Sequence, residues 1–276
     1  MKFDVVITNP PYQDHTNKHS PLWQKFVSKA FELIEPNGFL CAIHPSAWRK
    51  PNHSLWNLTD KGIRYLEIHD QSDGMKTFGA GTRYDWHITQ NREAKSKTVI
   101  VDENGKRNAV NLQNMNFLPN VHSEFIIKCL ADKNQTRCNI IHSRTMYGND
   151  KPWMSKEKNA THKFPCIYST PCGKQPSFLW SSKKEGHFGI SKVVVGKASP
   201  ENAILDFQGK YGITNNCFGI LIDSPEEGEM IVKALKTKKM KDVIGCLKWA
   251  GFSFEYRVML DFRKDFWKEF VDEDGD

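Results

Sequence analysis

The sequence predicts an α/β chain in two parts, a partial doubly wound sheet over residues 1–120 and a mixed α+β lobe over residues 136–270. Three features predict it. Within the first ninety residues short apolar runs alternate with helical periodicity in the order strand, helix, strand, helix, strand, strand, as in half of an open α/β sheet. Beyond Asn91 that alternation stops, and from about residue 136 the chain is rich in Gly, Pro, Lys and aromatic residues. Between residues 141 and 210 eleven basic side chains stand against five acidic ones, an excess of six in a chain whose net charge is +7.

The elements follow in order. Residues 3–8, Phe-Asp-Val-Val-Ile-Thr, are β-branched and aromatic and end at Pro10-Pro11, as a buried strand feeding a loop does. Leu22, Phe26, Ala30, Phe31, Leu33 and Ile34 recur at helical spacing and stop at Pro36-Asn37-Gly38, a helix with a Pro/Gly stop. Residues 39–43 form a second apolar strand, 53–61 a short helix, 63–68 a third strand and 84–89 a fourth. A hairpin is expected about residues 102–106, between strands at 98–101 and 108–112. A helix follows at 123–131, then short strands at 191–195 and 217–222 and a helix from Pro225 to about Leu235. The boundary between the two parts is expected between residues 115 and 136, and residues 271–276 read as a frayed acidic tail.

A chain of 276 residues can bury two modest cores. A mean hydropathy of −0.58 and the lack of an apolar run near twenty residues argue against a membrane span, and the amino-terminal residues have no signal-peptide layout, so a cytoplasmic protein is expected. Seven scattered cysteines with no C-x-x-C pair, and no histidine cluster at zinc spacing, read as reduced thiols without a metal. A pI near 8.9 leans towards a polyanionic partner.

The chemistry is carried by Asn9-Pro10-Pro11-Tyr12, directly after the first strand, at the carboxyl edge where open α/β sheets bind ligands. By average residue frequencies a chain of this length contains this tetrapeptide by chance with a probability on the order of one in a thousand. The prolines fix the loop and offer a carbonyl without a competing donor. With Pro36-Asn-Gly-Phe-Leu-Cys-Ala-Ile-His-Pro45, then Ala47-Trp48, and with Phe78 after the third strand, residues up to 92 resemble the amino-methyltransferases, and among them the N6-adenine-specific DNA methyltransferases of restriction-modification type. The resemblance implies a Rossmann-like methyltransferase sheet and adenosylmethionine as cofactor. It also implies that the Asn9 side-chain oxygen and the Pro10 carbonyl accept the two N–H groups of an adenine amino group. That group is a poor nucleophile because its lone pair is delocalised, and such acceptors favour the tetrahedral nitrogen that takes the methyl. Tyr12 and Phe78 would stack on the two faces of a flipped adenine.

A complete enzyme of this kind also has a cofactor half, a strand and a glycine-rich turn opening a helix. It is not evident here. Phe78-Gly79-Ala80-Gly81-Thr82 matches it superficially, but residues 83–89 read as a strand and the cofactor turn must open a helix; the segment from Val193 to Lys197 is a weaker match. The expectation is therefore a partial sheet lacking the cofactor half, with a second polypeptide supplying it, although a fragment or an inactive relative fits the same residues.

The basic second part resembles, by position, the target-recognition domain of such enzymes, so double-stranded DNA is the expected partner. Arg49, Lys151, Lys156, Lys158, Lys183, Lys184, Lys192 and Lys197 are the candidate DNA contacts. His15 and His19, in the polar loop after the tetrapeptide, are expected at the surface or on phosphates. Residues 249–256 and Phe262, Phe266 and Trp267 are expected to form the second lobe's core. A methyltransferase acting on RNA adenine or protein glutamine, and a non-catalytic DNA-binding or regulatory subunit, are the alternative readings.

Overall fold

The computed structural model describes residues 1–13, 21–94, 96–251 and 253–271. The loop carrying His15 and His19, and residues 272–276 of the acidic tail, lie outside them. The chain divides into two compact units, unit 1 (Met1–His122 with Lys248–Gly251) and unit 2 (Ser123–Leu247 with Phe252–Asp276). It is a mixed α/β chain with several sheets, and no helix among the described residues is long and apolar enough to cross a membrane.

Unit 1 contains, in chain order, β1 (Phe3–Thr8), α1 (Leu22–Glu32), β2 (Ile34–Pro45), β3 (Lys61–His69), α2 (Gln71–Phe78), β4 (Tyr84–Glu93), β5 (Thr98–Val101) and β6 (Arg107–Val110). They form one six-stranded sheet in the order β1-β2-β4-β3-β5-β6. β1 runs parallel to β2 and β3 parallel to β5, while β4 is antiparallel to both its neighbours. The α1 side chains Trp23, Val27 and Ala30 lie on one face of the helix and join Leu40, Ala42, Ile63 and Leu66 in one buried cluster.

Two local features differ from expectation. The helix ends at Glu32, where the Leu33 amide bonds back to Ala30, so Pro36-Asn37-Gly38 does not stop it but lies inside β2. Phe3 pairs with Ile34 and Val5 with Phe39, which pushes residues 35–38 out of register; Asn37 is left-handed, and a Cβ on Gly38 would stand 2.7 Å from the Asp4 carbonyl. The second feature is α2, which the sequence pattern did not predict. It forms because the Asp70 carboxylate caps the Asp73 amide at 2.8 Å, and because Gly79, at φ 66°, closes the last turn on Met75.

Beneath the carboxyl edge of the sheet lies a buried polar network. Asp85 Oδ2 accepts from Trp48 Nε1 and from Arg49 Nε, both at 2.7 Å. Arg49 also donates to the Leu118 carbonyl and to Asn120, whose amide reaches the Lys248 carbonyl. Trp249 donates to Leu118, and Ser46 to the Trp249 carbonyl. Arg49, expected to contact DNA, is 0% exposed, so its guanidinium is engaged internally and not offered to a partner. Trp249 is core as expected, but the core of unit 1. Beside it, His44 and His87 share a hydrogen bond between their Nε2 atoms at 3.0 Å, and His87 Nδ1 meets Thr89 Oγ1 at 2.8 Å.

Unit 2 contains α3 (Glu124–Cys129), β7 (Ile140–Ile141), β8 (Met154–Ser155), β9 (Phe164–Ser169), β10 (Ser177–Ser181), β11 (Lys192–Gly196), β12 (Ile204–Asp206), β13 (Gly212–Ile213), β14 (Cys217–Leu221), α4 (Pro225–Lys236) and α5 (Lys238–Cys246). Two four-stranded sheets, β13-β9-β10-β8 and β12-β11-β14-β7, share a core of Ile167, Val194, Ile213 and Cys217. Thr237 ends α4 and caps α5 through its hydroxyl, which splits what would be one helix in two. Every residue of β11 is buried, Lys192 included, and its ammonium pairs with Asp206 at 2.7 Å and donates to the His187 and Ile190 carbonyls. Lys192, like Arg49, is therefore not the DNA contact expected of it. A fully buried ammonium needs its carboxylate, and here it has one.

Breaking a buried pair strands the other charge, so Arg49→Met is expected to cost roughly 3–5 kcal/mol by urea denaturation while leaving the affinity of the folded chain for DNA unchanged. A loss of DNA affinity without loss of stability would overturn the buried assignment. Burial lowers His44 from its ordinary 6.5 to about 4, against the pull of Asp85, and lowers His87 well below its ordinary value, with His44 adding to the effect. Both rings stay neutral in the fold but take protons in the unfolded chain below about 6.5. The unfolded state then binds more protons, so stability is expected to fall as pH drops from about 6.5 towards 4. A urea midpoint that stays constant between pH 7 and about 5, where carboxylates contribute little, would contradict this.

Candidate functional site

The tetrapeptide leaves β1 at the carboxyl edge of the sheet, with Asn9 and Pro11 exposed, Pro10 buried and Tyr12 half-buried against the core. Across from it, α2 ends in Phe78. Asn9, Pro10, Pro11, Tyr12 and Gln13 on one side, and Phe78, Ala80 and Thr82 on the other, line a pocket of about 720 Å³. That is within the range that small-molecule sites occupy. The sequence separates Tyr12 from Phe78 by more than sixty residues, and the fold brings their rings to 5.8 Å between centroids, edge to face at 65°.

Phe78 rests on a shelf that was not foreseen. Its ring meets Tyr84 edge-on at 4.9 Å, and Tyr84 stacks flat on His69 at 4.4 Å. The Tyr84 hydroxyl donates to Asp73 at 2.5 Å, and His69 Nδ1 lies 2.9 Å from the same carboxylate. β3, α2 and β4 are thereby tied together below the pocket. The Tyr84 contact, with His69 adding to it, holds the Asp73 carboxyl below its ordinary value. A Cβ on Gly74 would come within 2.0 Å of the Thr82 carbonyl, so α2 can cross the loop this closely only with glycine there. The Tyr12 hydroxyl is buried with no hydrogen-bond partner among the described residues. Burial first, then the Tyr84 hydroxyl and the Asp85 charge, push it up to about 12, so it is a neutral donor at physiological pH.

The segment from Phe78 to Thr82 ends α2 and leads into β4, and Val193 to Gly196 lie within β11. Neither opens a helix, so neither supplies the turn a dinucleotide-like cofactor rests on.

In unit 2 the structure sorts the remaining lysines. Lys156, Lys158, Lys183 and Lys184 are exposed and Lys151 is half-buried, all on segments flanking β8 and β10, which pair through Ser155 and Trp180. Lys183 Nζ lies 4.1 Å from the centre of the Trp153 ring and Lys158 Nζ 5.2 Å from that of Trp180; Lys163, not singled out from sequence, lies over Phe164 at 5.5 Å. Lys197 stands apart, half-buried, bonded to the Asn215 carbonyl at 2.6 Å and to His142 Nε2 at 2.9 Å.

Residues 1–72, which carry the tetrapeptide, match the family model described as Eco57I restriction-modification methylase. No curated protein matches the chain. Among solved structures, 93% of the chain superposes on 45% of the type IIL restriction-modification enzyme MmeI, solved in complex with DNA, with a TM-score of 0.51 and 10% identity. The type IIG restriction endonuclease BpuSI matches 97% of this chain over 48% of its own length, at a TM-score of 0.36 and 10% identity, and the EcoKI M protein matches 37% of this chain over 25% of its own, at 0.30 and 17%. The chain thus spans less than half the length of these structures. Its first 72 residues are similar to restriction-modification methylases, and 93% of the chain is similar in fold to part of a restriction-modification enzyme.

Proposed function

We propose that this chain supplies the catalytic loop and the DNA-recognition lobe of a cytoplasmic, adenosylmethionine-dependent methyltransferase that acts on the N6 amino group of adenine in double-stranded DNA, with base flipping. One observation carries the reading. The Asn9-Pro10-Pro11-Tyr12 loop and Phe78, far apart in sequence, line one pocket, with the Tyr12 and Phe78 rings 5.8 Å apart. In this reading a flipped adenine lies between Tyr12 and Phe78, and the Asn9 side-chain oxygen and Pro10 carbonyl accept its two amino N–H bonds, which favours a tetrahedral nitrogen. The rings would turn from edge-on towards parallel to admit it. In this reading the methyl group comes from adenosylmethionine bound by a cofactor half on another stretch of polypeptide.

The partial Rossmann reading of unit 1 is supported by β1. Among the described residues it is an edge strand, paired with β2 alone, and its Val5 and Ile7 are 51% and 80% exposed. An apolar edge strand left in water is a liability. We assign its cover to the cofactor-binding half of the sheet, on another stretch of polypeptide. The exposed lysines of unit 2 are assigned to DNA phosphates, a reading supported by their excess over acidic neighbours and by their grouping about β8 and β10.

Asn9→Ala is expected to abolish methylation in an assembly that contains the cofactor half, while leaving DNA affinity within a few-fold, because the acceptor acts in the transition state and not in docking. Activity retained to within about tenfold would remove Asn9 from the chemistry. Calorimetry on the purified chain is expected to show no adenosylmethionine binding; micromolar affinity would point to a cofactor site within these residues. Lys158→Ala and Lys183→Ala are each expected to lower the salt dependence of DNA binding by about one unit, and a salt-independent affinity would make these lysines solvated surface only.

A further inference from the structure

A second cationic cluster in unit 2 uses other elements. His142 and Arg144 follow β7, Lys197 follows β11, Asn215 lies between β13 and β14, and Tyr256 and Arg257 open a short 3₁₀ helix. The Lys197 ammonium lies 4.4 Å from the centre of the Tyr256 ring, which in turn packs on the His142 ring at 4.2 Å. Arg144 is exposed, and Arg257 forks onto the Glu255 carboxylate at 2.7 and 2.9 Å.

The charges here do not balance. Burial lowers His142 to about 4, with Lys197 next and Arg144 and Arg257 adding to it, so the ring is neutral and accepts from Lys197. Lys197 is itself lowered to about 8, by burial first and against Glu255, with Arg144 and Arg257 again opposing its charge. Three cations therefore share one carboxylate, already forked onto Arg257; the neighbouring Cys217 thiol, pushed up to about 12 by burial, brings no charge. Lys192, at the other end of β11, shows the contrast, since its buried ammonium has Asp206 at 2.7 Å. Lys197 donates to a carbonyl and a neutral ring, and among the described residues it has no ion-pair partner. A partly desolvated ammonium held among like charges, with the one carboxylate that acts on it already forked onto Arg257, is a site that a further anion completes.

We propose that Lys197, Arg144 and Arg257, held in place by His142 and Tyr256, form a binding site for a phosphate group, and that the group belongs to the backbone of bound DNA. The chemistry fits on both sides. An ammonium offers a point charge with a donor to spare, and an exposed guanidinium offers a planar fork to two phosphate oxygens. The assignment to DNA rests on the function proposed above; the site itself rests on the cluster.

Amine acylation of the whole chain at a pH near 8, read lysine by lysine by mass spectrometry, tests both. Lys197, lowered by burial to about 8, is expected to label readily in the free chain. A mixed-sequence duplex is expected to protect Lys197 and Lys183 several-fold, and inorganic phosphate, compared with chloride at equal ionic strength, to protect Lys197. Arg144→Glu, at an exposed position, is expected to remove duplex protection at Lys197 while Lys183 remains protected, and to lower the salt slope of duplex binding by about one unit or more. Protection of Lys183 alone by the duplex, with none at Lys197 from either probe, would overturn the site and leave the DNA reading standing. Protection of Lys197 by phosphate and not by the duplex would keep the site and overturn its DNA source. Protection of neither lysine by the duplex, and none by phosphate, would overturn both.

Discussion

The carboxylate of Asp85 is the constraint on which unit 1 depends. It sits at the start of β4, 0% exposed, and its Oδ2 accepts from both Trp48 and Arg49. A buried carboxylate is costly unless it is paired; here the guanidinium pairs with it and passes the restraint on, through Leu118 and Asn120, to the returning segment Lys248–Gly251. A hydrophobic triple could have filled the same space at no loss of stability. What the ion pair adds is direction, since Arg49 reaches its three partners only in one arrangement of the loop after β2.

That arrangement matters because the tetrapeptide and the Phe78 shelf both build on β4 and its neighbours. Tyr84, adjacent to Asp85, carries the ring on which Phe78 rests and the hydroxyl that grips α2 through Asp73. The pocket is therefore not a loop property alone. Its far wall is set by a helix eight residues long that has little apolar periodicity and is held by its caps and by the close crossing at Gly74.

Much of this was legible in the sequence where local chemistry decides. The β-branched run ending at Pro10-Pro11 read correctly as a strand feeding a loop but wrongly as a buried one, since β1 is an exposed edge strand, and Asn9, Pro10, Pro11, Tyr12 and Phe78 were named before the fold brought them to one pocket. What was not legible depends on partners. Arg49 and Lys192 look like any surface cation until Asp85 and Asp206 are placed beside them, and sequence carries no mark of that pairing. The α2 segment, Gln-Ser-Asp-Gly-Met-Lys-Thr-Phe, gives no helical stripe, and only the Asp70 and Gly79 caps could have signalled it. Trp249 was assigned to the wrong core because a chain that returns for four residues leaves no local trace.

The lysines laid on Trp153 and Trp180 have a kinetic and entropic meaning that their charge alone does not convey. A free lysine side chain samples many rotamers, and fixing it at an interface costs about 0.5–1.5 kcal/mol. Lys183, held 4.1 Å above an indole ring, has already surrendered part of that freedom in the unbound chain. Such a surface is preorganised: a polyanion would meet cations already arrayed, and the indoles beneath them would register the encounter as a change in their own emission.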